Sequence, residues 1–501
     1  MGQICPKPVP LFFPAYYNGF LELILDDLIG GVWLNNKEFR YIEMAGILRM
    51  EILSGFLKPG QFLLPEKELC QLYNISRNSL RQALELLTNE GLLIKMVGRG
   101  TMVAKDLDIT KHEANVINII CPNDSSYVRK ALPILIEMFK EQYPHVEFRE
   151  FKTELRNGQL LKDLSGFGIR ADLVIISDHD MQHLPLEEFL ALEDIIPEQE
   201  VNNDQLVNVF RHEGRQYAIP LTYSPVFMAC NPRLFAENGL ELPTKDWSWE
   251  QFTEAARIIT RDANGDGQSD IYGLGLSSSL YRWPVLARKY SCSLEQEPSG
   301  TLNIDGLDEF LRYIQAMIYK DGICPAAAIN DWELLAQLFD EGHLGMFLTT
   351  TLTTGMHNGR FPVTVIPIPM NPHAHKGNLT IANGMMIPQT SGNPNLAKLF
   401  AEFSMRMDFQ MRMAGEAKFL SIYPQVNNEV WTELELGALG LSQDNPEHLY
   451  FMHEFLPNSA AEILHSEMIK FWAGFDAPDE LAHRLQGLFA SSEPPHIEAA
   501  E

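Results

Sequence analysis

Between residues 40 and 105 the apolar positions form three helical stretches followed by two short strand-like ones. Met44, Ile47, Leu48, Ile52 and Leu53 recur at steps of three and four, which predicts a helix ended by Gly55. "KPGQ" is a turn. Pro65 then stands where a first helical residue belongs, Glu66 and Glu68 favour the positive end of a helix dipole, and Leu69 and Leu72 give that second helix an apolar face. "YNIS" is a tight turn, and Ser76 is placed to cap a third helix with Leu80, Ala83, Leu84 and Leu87 as its buried stripe. Gly91 stops it. "LLIKM" and "TMVA" read as two strands around a Val97-Gly98-Arg99-Gly100 tip.

Beyond a short linker (106–114) the pattern changes. "NVINIICP" is a buried strand, Leu132, Leu135, Ile136 and Phe139 mark a helix, and "HVEFREF" alternates as a strand. "ADLVIIS" supplies another. Alternation of strands and helices runs to about residue 400, and mostly helical segments follow, which predicts an α/β architecture. The expected organisation is an extension (1–39), an α+β winged helix-turn-helix (40–105), the linker, a large α/β region (115–488) and a polar tail (489–501).

Charge sharpens this division. The 501 residues carry a formal net charge of −27, yet residues 40–105 hold nine Lys/Arg against six Asp/Glu. An acidic bulk repels nucleic acid and anionic membrane surfaces, so any DNA contact has to be local and salt-sensitive. The six cysteines are scattered with no CxxC pair, which predicts free, mostly buried thiols in a reducing compartment and excludes a zinc-ribbon pattern. Residues 1–39 are hydrophobic but interrupted by Asp26-Asp27, with neither a basic leader nor a cleavage site; no secretion signal or membrane span is read, and a cytoplasmic location is expected.

Helix, helix, turn, helix and wing is an arrangement suited to DNA. The third helix enters the major groove by its start, where Arg77 and Asn78 reach base edges, arginine to guanine and asparagine to adenine. Arg81 lies on the same face, and the wing glycines let Arg99 approach the minor groove. Residues 41–104 resemble the N-terminal domain of the GntR family of bacterial transcription regulators through "LKPG", "PEKEL", "ISRNSLRQAL", "LTNEGLL" and "GRGTMV", in order and at the family's spacing. The resemblance implies DNA contacts by Lys67, Arg77, Asn78, Ser79, Arg81 and Arg99, with Gly98 and Gly100 shaping the wing. One departure stands out: the family usually has Leu-Pro-Ser-Glu before the second helix, and here Leu63-Leu64-Pro65-Glu66 lacks the capping serine.

From about 115 to 475 the chain resembles family 1 extracellular solute-binding proteins of sugar transporters, which are two-lobed clamshells of the type II periplasmic-binding fold. The resemblance is carried by "ILIEMFKEQYPHVEF", "ADLVIIS", "GRQYAIPLTYSPVFMACNPRLFAENGLELPTKDWSWEQFTEAA", "FDEGHLGMFLTTT", "VIPIPMN" and "ANGMMIPQTSGNPNLAKLFAEF". It implies a ligand in the interlobe cleft. Sugars want side chains that donate and accept, and aromatic rings to stack on. Residues falling where the family's cleft loops lie are Asp124, Ser125, Asp178, His179, Asp180, Thr222, Tyr223, Trp283, Trp332, Asn383 and Tyr423; for each aromatic, core packing is the competing reading.

In "RDANGDGQSDIYG", Asp262, Asn264, Asp266, Gln268 and Asp270 fall at positions one, three, five, seven and nine of a calcium loop, with Gly267 at six. Position twelve is Gly273 where a bidentate glutamate belongs, so Ca2+ binding competes with a glycine-shaped turn.

The function expected is a non-enzymatic regulator. It binds a double-stranded operator as a homodimer and senses a small molecule, a sugar or oligosaccharide. The alternative is a clamshell that takes a non-sugar solute or serves only as an assembly platform. No Schiff-base lysine with a phosphate cup, nucleophile elbow or P-loop is found, and Asp178 with Asp180, which could serve glycoside hydrolysis, also suit hydroxyl binding.

Overall fold

The structure, a computed structural model, describes residues 39–490 apart from 54–56, 97, 106, 108–114, 124, 154–160, 162–169, 197–203, 244–246, 297–301, 355–356, 358, 375–376, 443–446 and 457. The head is built from α1 (Phe39–Leu53), α2 (Glu66–Leu72) and α3 (Arg77–Asn89), followed by a hairpin of β1 (Leu93–Met96) and β2 (Gly100–Val103). Its core is the stripe read from the sequence: Met44, Ile47, Leu48, Ile52, Leu69, Leu80, Ala83, Leu84 and Leu87 are buried together. Ser76 caps α3 by accepting from Ser79 N at 3.1 Å. Asn74, in the turn before it, takes a left-handed φ of 45°, which asparagine tolerates. Pro65 occupies the cap position of α2 rather than its first turn, and no side chain caps that helix.

The large region has two lobes. Lobe one is a mixed sheet in the order β12-β11-β5-β3-β4, formed by β3 (Val116–Pro122), β4 (Glu147–Thr153), β5 (Leu173–Ser177), β11 (Asn378–Met386) and β12 (Leu449–Phe451), with β6 (Ile219–Pro225) also paired to β11. The parallel β3, β4 and β5 are covered by α4 (Ser126–Gln142), α10 (Pro394–Ser404) and α11 (Met407–Ala417), with α12 (Pro424–Val430) packed on α11. Lobe two has a four-stranded sheet in the order β8-β9-β7-β10: β7 (Phe227–Cys230), β8 (Tyr272–Gly275), β9 (Leu344–Thr349) and β10 (Thr364–Ile366). Helices α5 (Pro232–Glu237), α6 (Trp249–Ile259), α7 (Trp283–Tyr290), α8 (Leu307–Gln315), α13 (Asn458–Trp472) and α14 (Pro478–Ala490) share its core. On the opposite face lies α9 (Trp332–Glu341).

Among the described residues the chain passes between lobes three times: β6 into β7, β10 into β11, and β12 through the short helix Met452–Phe455 into α13. Near the crossing, β11 pairs with β5 on one side (Asn383 with Ser177) and with β6 on the other (Ala382 with Tyr223). The head does not hang free. Its α1 lies against α10 of lobe one, with the Gly46 backbone close to Asn395. Among the described residues no helix is long and apolar enough to cross a membrane, and Cys70, Cys121, Cys230, Cys292 and Cys324 are free thiols.

Candidate functional site

Two constellations emerge. On the head, the Ser76 cap turns the start of α3 outward, so Arg77, Asn78 and Arg81 are exposed while Leu80, Ala83 and Leu84 face the core. Glu66 at the start of α2 holds both arginines, with Nε to carboxylate distances of 3.0 Å for Arg77 and 3.0 Å for Arg81. The bond from Arg77 chiefly, and Arg81 after it, keeps the Glu66 carboxyl below the usual carboxylate range. Both guanidiniums are mostly solvated, so this pairing is weak and readily exchanged for another anion. Sequence reasoning gave Glu66 only a helix-dipole role; its spacing to Arg77 across a turn carries no local signal of the contact.

The wing tip follows the same logic. Gly98 and Gly100 adopt φ of 72° and 106°, open to glycine but strained for other residues, and Arg99 stands exposed between them. Lys67 is exposed on α2. Ser79 stands apart from this set. It is buried, and its hydroxyl lies 2.9 Å from that of Ser76, so it serves the helix start rather than the outer surface.

The second constellation is the cleft base. The ring of His179, at the end of β5, meets the ring of Tyr281 from lobe two edge-on at 5.5 Å. Asp178 beside it is fully buried; Oδ1 accepts from Ala382 N at 2.9 Å, and burial pushes its carboxyl up to about 7. Asp180 accepts from Ser177 Oγ at 2.7 Å. Across the hinge, Thr351 N donates to Ser224 Oγ at 2.8 Å, beside the Ala382 pairing. At the rim, the Arg129 guanidinium of lobe one lies 6.0 Å from the ring centroid of Trp332 in lobe two. Ser125 caps α4 through Val128 N. Asp124 lies outside the described residues.

The aromatic expectations divide. Trp332 opens α9 and is 37% exposed, whereas Trp283 is 0% exposed, stacked on Phe310 and packed on Trp472 within lobe two. Tyr423 is likewise buried, its hydroxyl donating to Met405 O at 2.6 Å. Thr222 gives its hydroxyl to Leu420 O at 2.6 Å, and Tyr223 bridges to Leu420 in the core of lobe one. Asn383 sits at a bulge of β11 between β5 and β6. Thr222 and Tyr423 therefore use their hydroxyls within lobe one, and Trp283 and Tyr223 are buried in their own lobes, so none of the four forms a cleft wall; the Trp283 indole N–H is buried with no hydrogen-bond partner among the described residues. Tyr281 and Arg129, and Arg282 whose Nη2 lies 3.4 Å from the Thr350 hydroxyl, stand at the cleft base and rim and were not among the sequence expectations. A signal existed for one pair: Pro284 marks the start of α7, so "YR" just before it stands outside the helix while Trp283 turns in.

The residues 262–270 form a turn knit by its own donors. Asp262 accepts from Gly265 N at 2.6 Å and Gly267 N at 2.7 Å, which holds its carboxyl below the usual range. Asp266 accepts from Gln268 N, and Asp270 accepts from Ala263 N, Asn264 N and the Asn264 amide. Position twelve, Gly273, is packed so closely on the Ala256 backbone that no larger residue fits. Among the described residues no group of three or more His, Cys, Asp or Glu side chains is arranged to hold a metal ion. The donor set fits calcium only in part, and the turn is satisfied by its own hydrogen bonds.

Residues 40–103 match the family described as bacterial regulatory proteins, gntR family, and residues 155–411, just over half of the chain, match bacterial extracellular solute-binding protein. The transcriptional repressor NagR of Bacillus subtilis is 43% identical over 65 residues, which is 13% of this chain and 27% of that protein. An arabinose metabolism transcriptional repressor of Geobacillus stearothermophilus is 30% identical over 89 residues, 18% of this chain and 24% of its own length. This chain thus spans about a quarter of these relatives. Among solved structures, an ABC substrate-binding protein of Listeria monocytogenes in complex with cycloalternan superposes with a TM-score of 0.60 at 17% identity, covering 75% of this chain and 97% of that one. The maltose/maltodextrin-binding domain MalE of Bdellovibrio bacteriovorus bound to maltotriose gives 0.59 at 16%, covering 74% and 97%. The large region thus has the fold of periplasmic solute-binding proteins, and the head has the gntR winged helix. The chain belongs to the bacterial extracellular solute-binding protein family, with a gntR-type winged helix joined ahead of its two lobes.

Proposed function

We propose that this chain is a ligand-responsive, DNA-binding transcription regulator of the cytoplasm, with no catalytic role. The observation that carries the reading is the exposed set Arg77, Asn78, Arg81 and Arg99 on a capped helix start and a glycine-shaped wing, standing on an otherwise acidic chain. Asn78 and the two helix arginines read base edges and phosphate in the major groove, and Arg99 enters the minor groove. Phosphates displace Glu66 from both guanidiniums. The acidic bulk disfavours non-specific binding, so operator choice rests on these few groups in a homodimer on two half-sites.

The cleft takes the effector. The Listeria and Bdellovibrio proteins carry saccharides in the same fold, and a saccharide is the class we extend to this chain. His179, Asp180 and Trp332 offer the hydroxyl-binding and ring-stacking chemistry it needs. Ligand favours the closed arrangement of lobes, and closure changes how the two heads of a dimer are held.

Selection of genomic fragments on the full chain, followed by fluorescence anisotropy with and without saccharides, tests this. A fragment enriched by the native chain, lost with Arg77→Ala/Arg81→Ala and changed in affinity by a saccharide is the expected result. Equal enrichment by the double variant rules out the head as the reader.

A further inference from the structure

We propose that the effector is an acidic saccharide whose carboxylate or phosphate is bound by Arg282 at the base of the cleft, an inference that rests on the sensing role proposed above. A closed circuit of contacts joins the lobes. Asp178 bonds Ala382 at 2.9 Å, and Ala382 neighbours Ile381, which pairs with Ser224. Ser224 Oγ accepts from Thr351 N at 2.8 Å, and Thr350 lies 3.4 Å from Arg282 Nη2. Tyr281, next to Arg282, returns to His179 and so to Asp178. The circuit encloses the floor of the cleft.

Arg282 is the odd member of this ring. A guanidinium carries five N–H donors and a permanent charge. Here it makes one bond to the neighbouring Tyr281 carbonyl at 2.9 Å and a long one to the Thr350 hydroxyl at 3.4 Å. Among the described residues no carboxylate pairs with it, although it is only partly exposed and desolvation pulls it down to about 10, still protonated at neutral pH. Other arginines of the chain are treated differently: Arg484 has both Glu467 and Asp476, and the deep Arg288 lies over Tyr450 with Glu295 beside it. A desolvated charge without a counter-ion is costly, and a neutral hydroxyl does not compensate it.

The end of β9 carries unspent donors: the hydroxyls of Thr349 and Thr351 are buried and have no hydrogen-bond partner among the described residues. Between them Thr350 faces Arg282, and an oxyanion accepts from the fork of the guanidinium and from the Thr350 hydroxyl together. On the facing wall, Asp178, His179 and Asp180 suit ring hydroxyls, and Trp332 with Arg129 closes the rim. The acid end of the ligand therefore lies toward lobe two and its neutral ring toward lobe one, which links anion capture to closure.

Thermal shift and calorimetry on the full chain test this with D-glucuronate, D-galacturonate and glucose 6-phosphate against glucose, galactose, maltotriose and inorganic phosphate. An acidic saccharide is expected to bind at least about tenfold more tightly than its neutral counterpart, with the uronates and the phosphate ester telling carboxylate from phosphate. Arg282→Gln is expected to erase that preference, Arg282→Lys to keep part of it, and Thr350→Val to weaken it without removing a charge. Neutral saccharides bound as tightly, or a preference untouched by Arg282→Gln, overturn the inference while leaving the sensor intact. No binding of any saccharide, with DNA binding preserved, overturns the sensing role as well.

Discussion

In the head, the polar residues that matter stand outside the core. Arg77, Asn78, Arg81 and Arg99 project from a helix start and a wing whose geometry is set within a few residues by Ser76, Gly98 and Gly100. In the two-lobed region, the corresponding groups are built into the junction between lobes: Asp178 bonds a strand 204 residues later, and Thr351 bonds one 127 residues earlier. The first kind of site is held by local turns and survives local change. The second exists only when both lobes are folded and facing, so Asp178 is buried with its carboxyl pushed up, and Thr351 is tied to a strand of the other lobe.

The largest expected effect separates core from cleft. Trp283→Ala should cost about 3–5 kcal/mol in chemical denaturation, since it empties a filled aromatic cluster in lobe two. Trp332→Ala, on the half-exposed rim, should cost under about 1 kcal/mol while weakening effector binding. Equal losses of stability would place both rings in one environment and break the distinction. For the head, Arg77→Ala should reduce operator affinity by about 1–3 kcal/mol and lower the slope of affinity against salt, with the effector-induced thermal shift unchanged. An affinity loss matched by a lost effector response would mean that the two regions are not separable.

A pH series tests the buried acids on both sides. Burial pushes Glu51 in the head, despite its bond from Tyr73, and Asp178 in the cleft up to about 7. Between their unfolded values near 4 and these folded values, the folded chain keeps protons that the unfolded chain has released. Stability should therefore rise as pH falls from 8 toward 5, by roughly 1–3 kcal/mol per group. Glu51→Gln and Asp178→Asn should each flatten the profile; a native profile that rises with pH in this window contradicts the assignment. On the head, Ser76→Ala should cost about 1 kcal/mol through the lost cap of α3, with operator binding falling only as the helix start frays.

The contrast also explains what the sequence disclosed. The winged helix was legible nearly residue by residue, because its apolar stripe, its cap and its wing glycines are all short-range signals. Even there, Ser79 was assigned outward although it packs against Ser76, and Pro65 proved to be a cap rather than a first-turn residue. The α/β alternation and the two-lobed fold were legible too. The cleft was not. Trp283, Tyr423 and Tyr223 have the composition of sugar-binding residues, but whether a ring faces a partner lobe or its own core is decided by contacts hundreds of positions away. Arg282 carries its information in what is missing beside it, which no spacing rule reports.

The seat of α1 on α10 fixes the head to one handle of a pair of tongs. In the proposed mechanism, gripping a solute swings lobe two while the head keeps its footing on lobe one. In the regulator proposed here, the message therefore cannot leave through the joint between head and receptor. It has to leave through whatever lobe two presses on when it swings, and in a dimer that is the other copy.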